Sequence, residues 1–275
     1  VHLETDAVAS FILKNLGDRC FVGGRPGLTL NAWKSWKESE KGWFLSHHAS
    51  YPPKGENLQR FSKWKRDLLA FCRTKLSSFD TTPSPWKVLA YTGRCDTLPY
   101  RVAFTFEDHS GKSSSREGEF GDCSLVYWFG ERVGFKGIGC GPAPKPPREG
   151  VADMFHLWEN RMVRGWKITD VDMLIFSDAA WKQAKAVVEI KRTVENNWSP
   201  RRNDPHDILA ELANALGVPY VLIRHQLDPR RTNEPAERDT LVDVMYWKEE
   251  KFDFERFLKT RKTTKLGHVV DWLAR

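Results

Sequence analysis

Apolar positions along the first half of the chain recur with two different periods. Residues 6–16 place Val8, Phe11, Ile12 and Leu16 at helical spacing and stop at Gly17, which predicts a short amphipathic helix. Residues 56–76 repeat that pattern over a longer span, with Leu58, Phe61, Leu68, Leu69 and Phe71 forming the stripe. Residues 101–106 and 124–129 are short apolar and aromatic runs, expected as strands, with the polar stretch 108–119 between them as a long hairpin tip. Residues 23–29 read as turn and 77–85 as loop. From 139 to 150, prolines and glycines are too dense for a helix or a central strand. That segment is the expected boundary between two regions, 1–145 and 146–275.

Beyond the boundary the order is clearer. Residues 151–164, with Met154, Phe155, Leu157, Trp158 and Met162, have the spacing of a helix. Residues 171–176 and 186–190 are short apolar runs, each carrying one acid at a place where a strand should be wholly apolar. Residues 204–216 form another helical stripe ended by Gly217, residues 218–223 a β-branched strand, and residues 248–259 a further helical pattern. Helix, strands in a meander, helix, strand is the succession of an α/β (α+β) fold, a mixed sheet with helices packed on it.

Composition narrows the class of protein. An apolar fraction of 40% and a charged fraction of 29% over 275 residues exclude wholesale disorder. No apolar run reaches the ~18 residues of a membrane span, so no membrane partner is expected. The first residues, Val1 to Asp6, lack the apolar stretch of a secretory signal. Five cysteines lie far apart without a CxxC pair or a Cys/His cluster. Neither a disulfide framework nor a zinc site is therefore expected, and the anticipated location is intracellular, cytoplasmic or nuclear. The net charge of +7 falls almost entirely on residues 1–150, which hold 22 Lys and Arg against 16 Asp and Glu. A basic arm beside a near-neutral half suits phosphate binding.

The candidate chemistry sits in Asp170-Val171-Asp172-Met173-Leu174-Ile175-Phe176 and Val187-Val188-Glu189-Ile190-Lys191-Arg192. Residues two apart in a strand share a face, so Glu189 and Lys191 point the same way. If the two runs pair antiparallel, Asp172 lies opposite Glu189. Two converging carboxylates repel unless a cation sits between them. Carboxylate oxygens with a neighbouring backbone carbonyl are what Mg²⁺ accepts. Asp170 shares a face with Asp172 and is the alternative ligand; Asp172 is favoured because it abuts the apolar run.

These residues resemble the PD-(D/E)XK nuclease superfamily, in which an acid opens one apolar strand and an Asp/Glu-x-Lys motif ends the next. The resemblance covers residues 151–223 and implies a restriction-endonuclease-like core preceded by an additional N-terminal region for substrate recognition. It implies Asp172, Glu189 and Lys191 as catalytic residues, with Glu159 of the preceding helix as a further acid. The metal ligands would be Asp172, Glu189 and the Ile190 backbone carbonyl, holding Mg²⁺, with Mn²⁺ expected to substitute. No proline precedes Asp170 or Asp172, and the Gln-x-x-x-Tyr signature of one exonuclease branch is absent from 204–216. The expected activity is metal-dependent hydrolysis of nucleic acid, by a DNA endonuclease of restriction or defence type that acts as a monomer or homodimer. An RNA-processing nuclease or exonuclease of the same fold is the alternative, and so is a non-catalytic binding protein that keeps the fold.

Arg192, Arg201 and Arg202 follow the motif and are candidates for phosphate contacts, as are Lys34 and Lys37 in Trp33-Lys34-Ser35-Trp36-Lys37, where cations alternate with aromatics. Trp33 and Trp36 are equally compatible with one buried helix face. Replacing Lys34, Lys37 and Lys41 together is expected to flatten the dependence of log K on log salt for nucleic-acid binding. An unchanged slope in a salt titration would assign these lysines to ordinary solvated surface.

Overall fold

The computed structural model describes residues 6–23, 28–35, 41–48, 56–75, 88–94, 101–107, 113–133, 138–141, 158, 162–193, 198–201, 205–227 and 235–275. In chain order the elements begin with α1 (Ala7–Leu16), β1 (Cys20–Val22), β2 (Leu28–Ser35), β3 (Lys41–His48), α2 (Glu56–Lys75), β4 (Val88–Arg94), β5 (Arg101–Glu107), β6 (Ser113–Glu119) and α3 (Cys123–Val133). They continue with β7 (Gly139–Cys140), β8 (Val163–Arg164), β9 (Trp166–Asp170), β10 (Met173–Phe176), β11 (Ala184–Arg192) and α4 (His206–Ala215). The last are β12 (Tyr220–His225), β13 (Leu241–Trp247), α5 (Phe254–Lys259), β14 (Lys262–Lys265) and α6 (Leu266–Ala274).

The chain forms two compact units, and they do not follow the single cut at 145/146 expected from the sequence. The first comprises Val1–Arg25, Lys63–Phe79 and Val171–Arg275; the second comprises Pro26–Ser62 and Asp80–Asp170. The whole of the second unit thus lies between β1 and β10, in a stretch that also contains Lys63–Phe79 of the first unit.

The first unit is built on a six-stranded mixed sheet in the order β1-β10-β11-β12-β13-β14. Every neighbouring pair is antiparallel except β11 and β12, which run parallel. A parallel pair needs a crossover, and α4 supplies it. Ile208, Leu209, Leu212 and Ala213 form its buried stripe. It ends in paired bonds, Gly217 N to Asn214 O at 2.9 Å and Val218 N to Ala213 O at 2.9 Å. That closure requires a left-handed residue, which Gly217 provides at φ 69°. Alternation separates the faces of the sheet. Tyr220, on one face, meets His206 of α4 and Phe257 of α5. His225, on the other, meets Asp6 at the start of α1. Helices therefore flank both faces. Phe21, Trp64, Phe176 and Trp181 pack near the β1 edge, with Phe176 and Trp181 stacked at 4.7 Å.

The second unit holds a six-stranded sheet, β6-β5-β4-β3-β2-β9, and the short β7–β8 pair. Trp33 packs on Trp166, and Phe129 on Trp158, in its buried core. Residues 124–129, expected as a strand, belong to α3. The Asp122 carboxylate accepts the Ser124 amide at 2.8 Å and starts the helix. Leu125, Val126 and Phe129 then fall on its buried stripe while Tyr127 stays exposed. Part of the expected hairpin tip at 108–119 is strand β6, paired along β5. Residues 163–164 of the expected helix 151–164 are strand β8; of the rest, Trp158 and Met162 are helical and the others lie outside the described residues. Trp33 belongs to strand β2 rather than to a helix, and of residues 248–259 only Phe254–Lys259 is helical.

Cys123 and Cys140 are joined in a disulfide, Cα to Cα 5.5 Å, against the expectation of wholly reduced cysteines. Tertiary structure brings α3 and β7 together, so no local spacing announces the pair. Such bonds are rare in reducing compartments, and the cysteines thus give no support to the expected intracellular location. Cys20 and Cys72 are free and buried, and Cys95 lies outside the described residues. Burial pushes the Cys20 thiol up to about 12, which removes it as a nucleophile at neutral pH. Among the described residues no helix is long and apolar enough to cross a membrane.

Asp6 caps α1, accepting the Val8 and Ala9 amides at 2.9 and 3.0 Å, and takes a further bond from His225 Nε2 at 2.8 Å. Burial opposes its ionisation, but the His225 bond, the His225 charge and the two amides outweigh that and hold the carboxyl below its ordinary 3.8. A carboxyl depressed by folding contributes stability above its unfolded value and loses it as pH falls through the folded value. Asn caps a helix as well as Asp does, so Asp6→Asn isolates the contact with His225. The variant is expected to be about 1–3 kcal/mol less stable at neutral pH, with the gap closing as pH drops below 3.8. Thermal melts from pH 2.5 to 7 measure this; a gap that is constant with pH would refute it.

Candidate active site

The pairing of β10 with β11 sets the geometry. Met173 faces Val188 and Leu174 faces Val187 in antiparallel register. One step back, Asp172 comes opposite Glu189 on the same face. The Ile190 amide donates to Asp172 Oδ2 at 2.7 Å, tying that carboxylate to the edge of β11. Glu189 is only 2% exposed. A carboxylate so deep needs a partner, because burial of an isolated charge costs several kcal/mol. Lys191, two residues on and on the same face, provides one by contact with Glu189 Oε1. Its side chain keeps 38% of its surface exposed, so the ammonium also meets solvent.

The next row across the sheet is cationic. Lys191 pairs in register with Arg224, Arg224 with Asp243, and Asp243 with Thr263. Asp243 accepts from Arg224 Nη1 at 2.7 Å, from Arg261 Nη2 at 2.5 Å and from Thr263 Oγ1 at 2.6 Å. Burial opposes its ionisation, yet Thr263, Arg224 and Arg261 together hold it below the ordinary carboxylate value. Two guanidiniums share one carboxylate, so the cluster stays net positive beside Lys191.

Of the residues singled out from sequence, the structure brings together Asp172, Glu189, Ile190 and Lys191. Asp170 does not join them, being the last residue of β9 and paired with Asn31 of β2. Arg192 falls on the opposite face of β11 by alternation, in register with His225. Arg201 is exposed beyond the sheet. Lys34 lies on β2 in the second unit, level with Lys41 on β3 and Lys167 on β9. Glu159, Lys37 and Arg202 lie outside the described residues. Trp33 and Trp64 are buried at 4% and 2%, which makes them core rather than stacking platforms. His206 is buried too, its Nδ1 2.7 Å from the Tyr220 hydroxyl.

Arg224 and Asp243 were missed although each interrupts an apolar run, the same signal that exposes Glu189. Among the described residues no group of three or more His, Cys, Asp or Glu could hold a metal. The available donors are the Asp172 and Glu189 carboxylates with strand carbonyls, an open set of hard oxygens. Such a set fits Mg²⁺, which keeps several of its waters, better than it fits a caged ion. In comparisons with protein-family models, curated proteins and solved structures, nothing matches the chain.

Gly23 positions the first acid and was read from sequence only as turn. Its amide donates to the Asp172 carbonyl at 2.8 Å, and a Cβ there would lie 2.4 Å from the Val171 carbonyl oxygen. Gly23→Ala must therefore shift the backbone that presents Asp172. Expected are a loss of about 1–3 kcal/mol in denaturant unfolding and weaker Mn²⁺ binding by paramagnetic titration. A variant matching the wild type in both would remove Gly23 from the site.

Proposed function

We propose that the chain is a Mg²⁺-dependent nuclease of the PD-(D/E)XK type, hydrolysing phosphodiester bonds of nucleic acid, DNA in preference to RNA. The observation that carries this reading is the register that sets Asp172 against Glu189, with Lys191 two residues further on the same face. The succession α1, β1, β10, β11, α4, β12 in the first unit supports it, being helix, strand meander, helix and strand once the insertion is set aside. The helix that leads this succession is α1, not 151–164. Asp6, at its start, is engaged with His225, so a third acid does not come from there.

A divalent ion held by Asp172 and Glu189 would supply charge neutralisation at the scissile phosphate and a bound water of lowered pKa. Lys191, solvent-reaching and beside Glu189, is placed to orient the attacking water and to offset developing negative charge. The net positive Arg224–Asp243–Arg261 cluster, in register with Lys191, would favour an approaching phosphate backbone. Recognition is assigned to the second unit. Lys41, Lys34 and Lys167 occupy paired positions on neighbouring strands there. A site-specific endonuclease of restriction or defence type is the form of this activity that such an added region favours.

A second reading, a nucleic-acid-binding protein without catalysis, takes the Lys191–Glu189 contact as a purely structural ion pair. Cleavage of supercoiled, linear and single-stranded DNA and of RNA, with Mg²⁺ and with EDTA, separates the two. Asp172→Ala and Glu189→Ala are expected to abolish cleavage. Lys191→Ala is expected to keep metal binding and lose a factor on the order of 10²–10⁴ in single-turnover rate. Lys191→Arg is not expected to restore it, since a guanidinium does not give up a proton at working pH. Wild-type cleavage by Lys191→Ala, or full activity in EDTA, would end the nuclease reading.

A further inference from the structure

On the sheet face opposite Glu189, where β13 and β14 meet α6, a cavity of about 380 Å³ opens to solvent. Its floor is apolar, made by Val221, Val244 and Val269. Its wall is the pair Tyr246 and Trp272, edge to face at 6.0 Å. These two are 37% and 41% exposed, whereas most other large aromatics among the described residues are buried. Lys262 stands at the mouth, together with the Thr260 and Thr264 hydroxyls and His268. The volume lies within the range of ligand sites, and an apolar floor with a few polar groups at the rim is their usual composition.

Charge identifies the occupant. From Arg256 to Val270 the chain carries Arg256, Lys259, Arg261, Lys262 and Lys265 and not one acid. Arg256, Arg261 and Lys265 are paired with Glu249, Asp243 and Asp239. Among the described residues Lys259 and Lys262 make no ion pair, and both are exposed. An unpaired ammonium beside two solvent-facing rings matches a nucleotide, with the base on the ring and the phosphate on the amine. An apolar peptide would leave that ammonium without a counter-charge.

We propose that this cavity is a single-strand subsite, in which Trp272 and Tyr246 stack an unpaired base and Lys262 binds its phosphate. The choice of ligand rests on the nuclease reading above. β14 is the edge of the sheet, and Arg261, Lys262 and Thr263 pass from one face to the other around that edge. From β11 to β14 there are three inter-strand steps, about 14 Å at the usual spacing. About four stacked nucleotides span that distance. A strand engaged at Glu189 and running past Arg224 and Arg261 thus reaches the β14 edge in about four nucleotides and rounds it to the aromatic pair with further ones.

The test measures binding in EDTA, apart from cleavage, by anisotropy of a labelled twelve-nucleotide thymidine strand and of a duplex of equal length. Trp272→Ala is expected to weaken single-strand binding by about five- to hundred-fold, the range for one lost stacking contact, and duplex binding far less. Trp272→Phe should retain most of the affinity. Lys262→Glu, at an exposed edge position that the fold tolerates, should weaken binding and reduce the log–log salt slope by about one phosphate. Single-strand affinity unchanged in Trp272→Ala and Lys262→Glu overturns the subsite, as does an equal loss for both substrates. Wild-type protein that cleaves nothing with Mg²⁺ would count against the nuclease reading alone, because the binding measurement does not depend on turnover.

Discussion

The register between β10 and β11 is the constraint on which the candidate site depends. Side chains alternate with period two, so a slip of one residue would move Asp172 away from Glu189 and turn every apolar residue of β10 to the other face. That slip is costly in both directions, because Met173 to Phe176 are buried throughout and β11 is buried from Ala186 to Ile190. Both faces of these strands are covered, and the alternative pairings lose packing as well as hydrogen bonds. The bond from the Ile190 amide to Asp172 Oδ2 and the close approach of Gly23 to Val171 pin the same register from either side of β10. Apolar packing thus places the two carboxylates, which would not choose each other's company.

The same register arranges charge by rows across the sheet. Asp172 and Glu189 form one row and Lys191, Arg224, Asp243 and Thr263 the next, set by strand pairing rather than by local sequence. The cations lower the cost of the buried Glu189, and Asp243 in turn lowers the cost of the buried Arg224. Replacing such a network by apolar side chains would often be neutral or better for stability. Its presence is therefore weak evidence of a stabilising purpose and agrees with a site whose charges serve a ligand. On the other face the buried Asp6 serves the fold, capping α1 and holding His225.

The sequence disclosed the site better than the architecture around it. A charge inside an apolar run is a strong local signal, because burial penalises it, and Glu189 and Asp172 carry it plainly. The helix stripes of α1, α2 and α4 were legible for the same reason, since each repeats at 3.6 residues and has a stop or a cap. Residues 124–129 were not, because Val126, Tyr127, Trp128 and Phe129 favour strands, while the Asp122 cap and the burial of Leu125, Val126 and Phe129 on one stripe favour helix. The strand β2 carries no clean polar face, since Leu28 to Trp33 are buried on both sides, Thr29 and Asn31 among them. The division into units depends on contacts between distant residues, and the disulfide, though its cysteines are 17 residues apart, on the meeting of α3 with β7, which no periodicity announces.

The expected leading helix, 151–164, falls by that division outside the first unit. The strand β1 pairs with β10, Cys20 opposite Ile175, across an insertion of roughly 150 residues. Closing so long a loop costs entropy that a three-residue strand could hardly repay. The second unit removes the difficulty by its own topology. Its entry strand β2 and exit strand β9 are direct neighbours, with Asn31 opposite Asp170. Once that unit folds, its entry and exit strands are held one strand spacing apart, although the chain also returns to the first unit between them, at Lys63–Phe79. The loop that β1 and β10 must then close is short in every sense but sequence number. An insertion whose ends meet is the kind a pre-existing sheet tolerates, and it leaves the β10–β11 pairing, which lies wholly beyond it, untouched.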